Sequence, residues 1–380
     1  MTGMIKTLTS DAVALLREMV AIPSPSFDEK AVCDMLCVRM DGMGIVHERI
    51  GNNIIASHIP APEKKVIMLC AHIDTVSPSP EYSFDPYRPD SRKAAETVGA
   101  ASGLDVSEDE IVAGLGSNDD GASVVSMIAA YRYFAEKDIN VVLVLTCEEE
   151  RSGINGMTGL WGTKIGSGED SDVDIHIDRA IIGEPTGMKA AISERGLLVI
   201  DATANGVSGH AARNEGVNAL YIATDDIMKL RQHEFGRISP IMGKVNLNVT
   251  QIEAGTAHNV IPDTCTFVID IRPTEQYTNE EILQELQAVC RSTLKARNLT
   301  NRSSATYEGS PLLKTAQALG IECFTSPTTS DWMRIGCDAI KMGPGQSSRS
   351  HRKDEFVFVK EIEEAIKKYI DFIGHEHTLE

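Results

Sequence analysis

The stretch Val66-Ile67-Met68-Leu69-Cys70-Ala71-His72-Ile73-Asp74-Thr75-Val76 decides how the rest of the chain is read. It opens as an unbroken apolar run and ends abruptly in a histidine and an aspartate. A short run of this kind is the pattern of a strand buried on both faces of an α/β sheet. In open sheets of that class, ligands gather beyond the carboxyl ends of the strands. His72 and Asp74 stand at that end, two residues apart, and extended backbone turns both side chains to one face. An imidazole beside a carboxylate at a strand end begins a metal or acid–base site. A histidine that is merely hydrogen-bonded is the ordinary alternative, so the neighbouring strands must decide.

Two further runs repeat the pattern. Asn140-Val-Val-Leu-Val-Leu-Thr146 leads into Cys147-Glu148-Glu149-Glu150, and Ala180-Ile-Ile182 leads into Gly183-Glu184-Pro185-Thr186. Adjacent carboxylates repel one another unless a cation sits nearby; a solvated loop is the alternative. Between these runs, Gly114-Leu-Gly-Ser-Asn-Asp119-Asp120-Gly121 precedes residues 122–134, which read as a buried helix. N-capping and the helix dipole account for one of the two aspartates. Three buried strands that each deliver an acid or a histidine at the carboxyl end are poorly explained one at a time. The loop Gly343-Pro-Gly-Gln-Ser-Ser-Arg-Ser-His351-Arg-Lys-Asp354-Glu355 supplies one more histidine.

The surroundings fit a soluble protein. At 380 residues, 42% of them hydrophobic, the chain has room for two domains. A formal net charge of -19 argues against nucleic acid or an anionic membrane as partner, and suits a protein that holds cations. No apolar run approaches the roughly 20 residues of a membrane span. The N-terminus lacks the apolar core of a signal peptide. The eight cysteines form no Cys-x-x-Cys pair, so reduced thiols and a cytoplasmic location are expected. Leu379-Glu380 reads as a tag scar and carries no fold argument.

Residues 9–20 read as an amphipathic helix. Ser26-Phe-Asp-Glu29 reads as a capping box that opens a second helix, which Gly44 closes. Strands are expected at 45–48 and 54–59. Residues 77–110 are too long for an ordinary connection, so they are functional, mobile or partly structured. From about residue 190 the pattern becomes strand 197–204, helix 216–233, strands 244–253 and 264–272, a helix opened by a Thr278–Glu281 capping box and running to about 296, and a strand at 305–307. That β-α-β-β-α-β order is the ferredoxin-like split unit. Helices at 312–319 and 359–373 and a strand at 338–342 return to the first domain. The expected fold is therefore α/β: a catalytic domain (1–190 and 301–380) with a central, mostly parallel sheet flanked by helices, and an inserted ferredoxin-like α+β domain (191–300).

Collected, the strand-end residues are His72, Asp74, Asp119, Glu149, Glu150, Glu184 and His351. Two imidazoles with several carboxylates suit zinc, with cobalt or manganese as alternatives. The set exceeds what one tetrahedral zinc with an open position needs. It fits two divalent ions sharing a bridging carboxylate, roughly 3.5–4 Å apart. A spare carboxylate beside them serves as general base. The chemistry implied is hydrolysis of an amide.

His72-Ile-Asp74, Gly116-Ser-Asn-Asp119, Glu149-Glu150, Gly183-Glu184-Pro185-Thr186 and the Gly343-Pro-Gly…His351 loop, in this order, resemble the metallopeptidase superfamily of acetylornithine deacetylase, succinyl-diaminopimelate desuccinylase and carboxypeptidase G. The resemblance spans nearly the whole chain and looks closest to acetylornithine deacetylase-like members. It implies His72, Asp119 and Glu184 on one ion and Asp119, Glu150 and His351 on the other, with Asp119 bridging. It makes Glu149 the base that takes the proton from the attacking water and returns it to the leaving amine. Asp74 would orient His72. In the inserted domain, Gly206-Val-Ser-Gly-His210 resembles the segment whose histidine steadies the tetrahedral oxyanion. Gly255-Thr-Ala-His-Asn259 resembles a substrate-contacting segment. Asp270-Ile-Arg272 resembles one whose arginine grips a substrate carboxylate, although Arg272 also fits a plain salt bridge and His210 a plain turn. The sequence departs from the family at Glu148, where the family carries aspartate, so Glu148 and Glu149 remain an alternative base and ligand. Asp120-Gly-Ala replaces the family's Met-Lys-Gly, and residues 77–110 exceed the family's length.

The resemblance implies a cytoplasmic homodimer, joined through the inserted lid/dimerisation domain, that removes the acetyl or succinyl group from N-acyl-ornithine. A dipeptidase, a carboxypeptidase or a desuccinylase of diaminopimelate is the alternative. A non-catalytic metal-binding partner subunit would lack a base or a ligand, and none is missing.

Overall fold

The computed structural model describes residues 2–168, 172–213 and 215–378, so the Leu379-Glu380 reading lies outside the described residues. The chain divides into two compact units, one of residues 1–192, 306–324 and 330–380, the other of 193–305 and 325–329.

The first unit is built on a mixed sheet. Its strands run in the order Glu48–Ile50, Asn53–His58, Val141–Thr146, Ile67–His72, Arg179–Ile182, Asp338–Lys341 and Ala190–Glu194. The four central strands, Val141–Thr146 to Asp338–Lys341, are parallel. The flanking ones are antiparallel. The unbroken apolar run has its cause in the packing. Ile67, Leu69 and Ala71 face a core shared with the helices Thr2–Val20, Gly121–Phe134 and Val359–Thr378, including Leu16, Ala129 and Ile366. Met68 and Cys70 face the opposite core, with Met157, Leu160 and Trp332. Both faces are covered, so both parities are apolar. Parallel register then aligns the strand ends, with His72 opposite Thr146 and Cys70 opposite Ile182. His72, the Glu148–Glu150 turn and Glu184 consequently leave the sheet along one edge.

One local expectation fails here. The Ser26–Glu29 capping box does not form. The helix Lys30–Gly42 starts after Glu29 without a side-chain cap. Ser26 instead donates to Asp74, and Glu29 accepts from the Phe27 amide. Tertiary partners outcompete the local cap. The long segment after His72 is partly structured, with a helix at Ser91–Ser102. Asp90 caps it by accepting from the Arg92 and Lys93 amides, and Gly103 closes it at φ 72°.

The second unit is a four-stranded antiparallel sheet in the order Asn246–Ala254, Thr264–Arg272, Leu198–Asn205 and Thr293–Ala296. The third strand in sequence lies between the first two, as the split βαβ arrangement requires. Buried and half-buried residues alternate along Leu198–Asn205. The helices Ala219–Gln232 and Asn279–Val289 pack Ile222, Leu230, Ile282 and Leu286 against Ile200, Phe267 and Ile269. The Thr278 capping box is formed. The expected closing strand at 305–307 is displaced: Thr293–Ala296 closes the sheet, and the helix ends at Val289 rather than near 296. The cause is Asp226, whose Oδ2 accepts from the Arg291 amide (2.9 Å), the Ser292 amide (2.7 Å) and the Ser292 hydroxyl (2.8 Å). Those groups are drawn out of the helical ladder. No described helix is long and apolar enough to cross a membrane.

Candidate metal centre

His72 is buried at the end of its strand. Its Nδ1 lies 2.9 Å from the Asp74 carbonyl oxygen and its Nε2 lies 3.3 Å from Asp119 Oδ1. A carbonyl at Nδ1 fixes the tautomer and leaves Nε2 to face the centre. Asp74 lies 3.4 Å from the same Nδ1 through Oδ1, but its carboxylate is committed elsewhere. It accepts from the Ser26 hydroxyl (2.7 Å) and from the Glu149 (3.0 Å) and Glu150 (3.1 Å) amides. Asp74 therefore holds the glutamate turn as well as the histidine, and the expectation covered only the second duty.

The three glutamates differ. Glu148 has a left-handed backbone, φ 60°. Its carboxylate accepts from the Asn155 amide (3.1 Å) and from Asn155 Nδ2 (2.7 Å). A Cβ on Gly153 would fall 2.0 Å from Glu148 Oε2, so only glycine leaves that carboxylate its place. Glu149 and Glu150 point to the centre. His72, Asp119 and Glu150 form one group whose ligand atoms all lie within 4.8 Å of one another, and His72, Glu149 and Glu184 form another. His351 Nε2 sits 2.9 Å from Glu150 Oε1 and 3.7 Å from Asp119 Oδ2. Glu149 thus lies among the candidate donors rather than apart from them.

The His351 loop is fastened to the Asp119 turn by residues that sequence reasoning passed over. Glu355, buried, accepts from the amides of Gly116 (3.2 Å), Asn118 (2.9 Å) and Asp119 (2.9 Å). Asn118 Oδ1 accepts from the Gln346 amide (2.8 Å), and Asn118 Nδ2 donates to the Gln346 carbonyl (3.2 Å). Gly345, at φ 78°, lies so close that a Cβ there would be 2.3 Å from Asn118 Oδ1. A carboxylate that serves amides 236 residues away leaves no local spacing to read. Glu29 does the same for the other turn, accepting from the Glu148 amide at 3.2 Å.

The electrostatics are those of an overfilled anionic pocket. Burial pushes the Glu149 carboxyl well up, and Glu184, Asp331 and Glu150 add repulsion against the attraction of His72. Burial also pushes Glu184 well up; Lys341 opposes, and Asp119 and Asp120 add to the rise. Asp119 is likewise buried, yet its hydrogen bond to His72 and the charges of both histidines hold it below the usual range. His72 is raised despite burial, because Asp119 and Asp74 bond to it. His351 is raised to about 9, first by its bond to Glu150. Asp120 is buried, and burial pushes it to about 8, with the charge of Asp119 adding to the rise against the attraction of His72. Hard and borderline donors crowded in this way fit divalent cations, which would neutralise the mutual repulsion that the histidines balance only in part.

The other three expected site residues belong to the second unit. His210, exposed, accepts at Nδ1 from the Ala212 amide (3.1 Å). The strands Gly209–His210 and Val260–Ile261 pair, and the Asn259 carbonyl accepts from the Ala211 amide, so His210 and Asn259 share one ribbon. Arg272 forms a two-pronged ion pair with Asp270, at 2.9 and 3.2 Å. A substrate carboxylate would have to compete with that pair.

Comparison with known proteins adds three observations. The Peptidase dimerisation domain family matches residues 192–298, and Peptidase family M28 matches residues 53–177. The succinyl-diaminopimelate desuccinylase of Psychromonas ingrahamii is 26% identical, over 94% of this chain and 96% of that protein. A probable carboxypeptidase of Emericella nidulans is 25% identical, over 95% of this chain and 88% of that protein. In fold, the chain is similar to a dinuclear metal-binding peptidase of the M20 family from Bacillus subtilis, with TM-score 0.67, 15% identity and coverage of 98% of each chain.

Proposed function

The chain belongs to the superfamily of metal-dependent peptidases and deacylases that hydrolyse linear amides, and we propose that it removes the succinyl group from an N-succinyl amino acid, with succinyl-diaminopimelate the leading substrate. The observation that carries the hydrolytic part is the convergence of His72, Asp119, Glu149, Glu150, Glu184 and His351 at one sheet edge. The succinyl-diaminopimelate part is supported by the name of the Psychromonas relative. It displaces the ornithine reading of the Gly343–His351 loop, which rests on that loop's likeness alone. N-succinyl-ornithine shares the acyl group and remains the second substrate to assay.

His72, Asp119, Glu150, Glu184 and His351 would hold two divalent ions, zinc first among the candidates. Bound there, the ions supply Lewis acidity toward the amide carbonyl and toward the attacking water. Glu149 takes the proton of that water and passes it to the departing amine nitrogen, as a general base and then a general acid. Asp74 keeps Glu149 and Glu150 in place through their amides. Glu355 keeps Asp119 in place through its own. Arg272, once freed from Asp270, and His210 are assigned to the substrate carboxylate and the developing oxyanion. We assign the second unit to homodimer formation, and the reaction to the cytoplasm, in keeping with eight free cysteines.

The test is kcat/KM for N-succinyl-L,L-diaminopimelate, N-succinyl-L-ornithine, N-acetyl-L-ornithine and a panel of di- and tripeptides, with zinc-loaded protein. The proposal expects the succinyl substrates to lead. Turnover confined to peptides would favour the carboxypeptidase reading suggested by the Emericella relative.

A further inference from the structure

Residues 77–110 have no part in the chemistry above, yet they wall a cavity of about 220 Å³ between their own chain, the first helix and the strand Ile111–Ala113. The cavity shares no residue with the metal centre. Its floor is apolar, with Val20, Ile111 and Val112. Arg17, Arg88 and Glu108, all three exposed, are among the residues of its walls. Neither arginine is in an ion pair among the described residues. Arg17 donates from Nη2 to the Ile111 carbonyl, at 3.3 Å.

We propose that this cavity binds a free α-amino acid with an aliphatic side chain. The volume lies below the roughly 300–1,000 Å³ of sites for drug-sized molecules, which selects a small ligand. Two guanidiniums present the planar donors that a carboxylate takes. Glu108 offers an acceptor for the ammonium group. The apolar floor takes the side chain. The position also joins the cavity to the catalytic loops: Ile111–Ala113 pairs with Phe356–Phe358, directly after Glu355, and the Pro86 carbonyl accepts from the Leu115 amide at 2.9 Å.

The experiment is isothermal titration of L-leucine into the full chain, both zinc-loaded and metal-stripped, with 4-methylpentanoate as the probe lacking the ammonium. Saturable binding in both metal states is expected, weaker for 4-methylpentanoate. Arg88→Gln, at an exposed side chain with no ion pair, should weaken leucine about tenfold or more with the thermal transition unchanged. Arg17→Gln should weaken leucine similarly, with a somewhat lower thermal transition because the bond to the Ile111 carbonyl is lost, and Glu108→Gln should narrow the gap between the two probes. Absence of saturable leucine binding would overturn the proposal. So would binding that both arginine variants leave intact, or that disappears with the metal, since leucine would then be seated elsewhere. A desuccinylase assay that fails leaves these outcomes untouched, because none of them reads turnover.

Discussion

Replacing Glu355 by glutamine changes one atom in a buried carboxylate that accepts three backbone amides of the turn carrying Asp119. The Glu355→Gln amide oxygen can keep the two bonds now made by Oε1, to Asn118 and Asp119. The new NH2 then faces the Gly116 amide, donor against donor, where Oε2 now accepts at 3.2 Å. One buried N–H loses its partner and one buried NH2 gains none. Each such loss costs about 1–3 kcal/mol. The expected destabilisation is thus about 2–6 kcal/mol, several degrees in the thermal transition for a chain of this size. The larger consequence is local. Glu355 accepts from the Asp119 backbone amide rather than meeting its carboxylate, and so fixes the backbone on which Asp119 is mounted. Residues in that position typically affect metal affinity by about 10–100-fold. Titration against a chromogenic chelator, in parallel with thermal denaturation of metal-free protein, separates the two effects. Weaker zinc binding by at least about tenfold, in a variant still folded at the assay temperature, is the expected result. Wild-type zinc affinity with a lowered transition would refute the reasoning and leave Glu355 a purely structural residue.

Other consequences follow from the same geometry. Gly345→Ala should destabilise the protein by about 2 kcal/mol or more, because φ 78° disfavours a side chain and its Cβ would meet Asn118 Oδ1 at 2.3 Å; equilibrium unfolding measures it. Asp226→Asn should cost about 1–3 kcal/mol at neutral pH, where the carboxylate accepts from Arg291 and Ser292. Burial opposes ionisation of Asp226, but those bonds hold its pKa below the usual value. Its stabilisation is therefore complete above about pH 4, the unfolded value, and fades as pH falls through the lower folded value; urea unfolding across that range should show wild type and variant converging in acid. Ser26→Ala removes the 2.7 Å bond to Asp74 Oδ2 and should cost about 1 kcal/mol, read by the same unfolding assay.

Much of this molecule is legible from strands that end in the wrong kind of residue. Buried parallel strands announce themselves as unbroken apolar runs, and His72, Glu149, Glu150 and Glu184 each follow one. The inserted unit is legible because one face of its sheet is left to solvent, which makes Leu198–Asn205 alternate. What escapes the sequence is the long-range hydrogen bonding. Glu29 looks like a cap and serves Glu148; Glu355 looks like loop and serves three amides on a distant turn. Glu148 cannot be told from its neighbours by spacing, because its fate is set by Asn155 and by the space at Gly153. The helix at 279–289 ends early for the same reason, since Asp226 is remote in sequence.

The central claim is that one sheet edge holds two divalent ions and that Glu149, not Glu148, moves the proton. It is tested most directly by measuring bound zinc and succinate release on the same samples of wild type, Glu149→Gln and Glu148→Gln, with N-succinyl-L,L-diaminopimelate as substrate. The account predicts two zinc ions per chain in all three. It predicts turnover lower by about 10²–10⁴-fold in Glu149→Gln and a far smaller change in Glu148→Gln. Zinc retained with turnover lost in Glu148→Gln, and kept in Glu149→Gln, would contradict it.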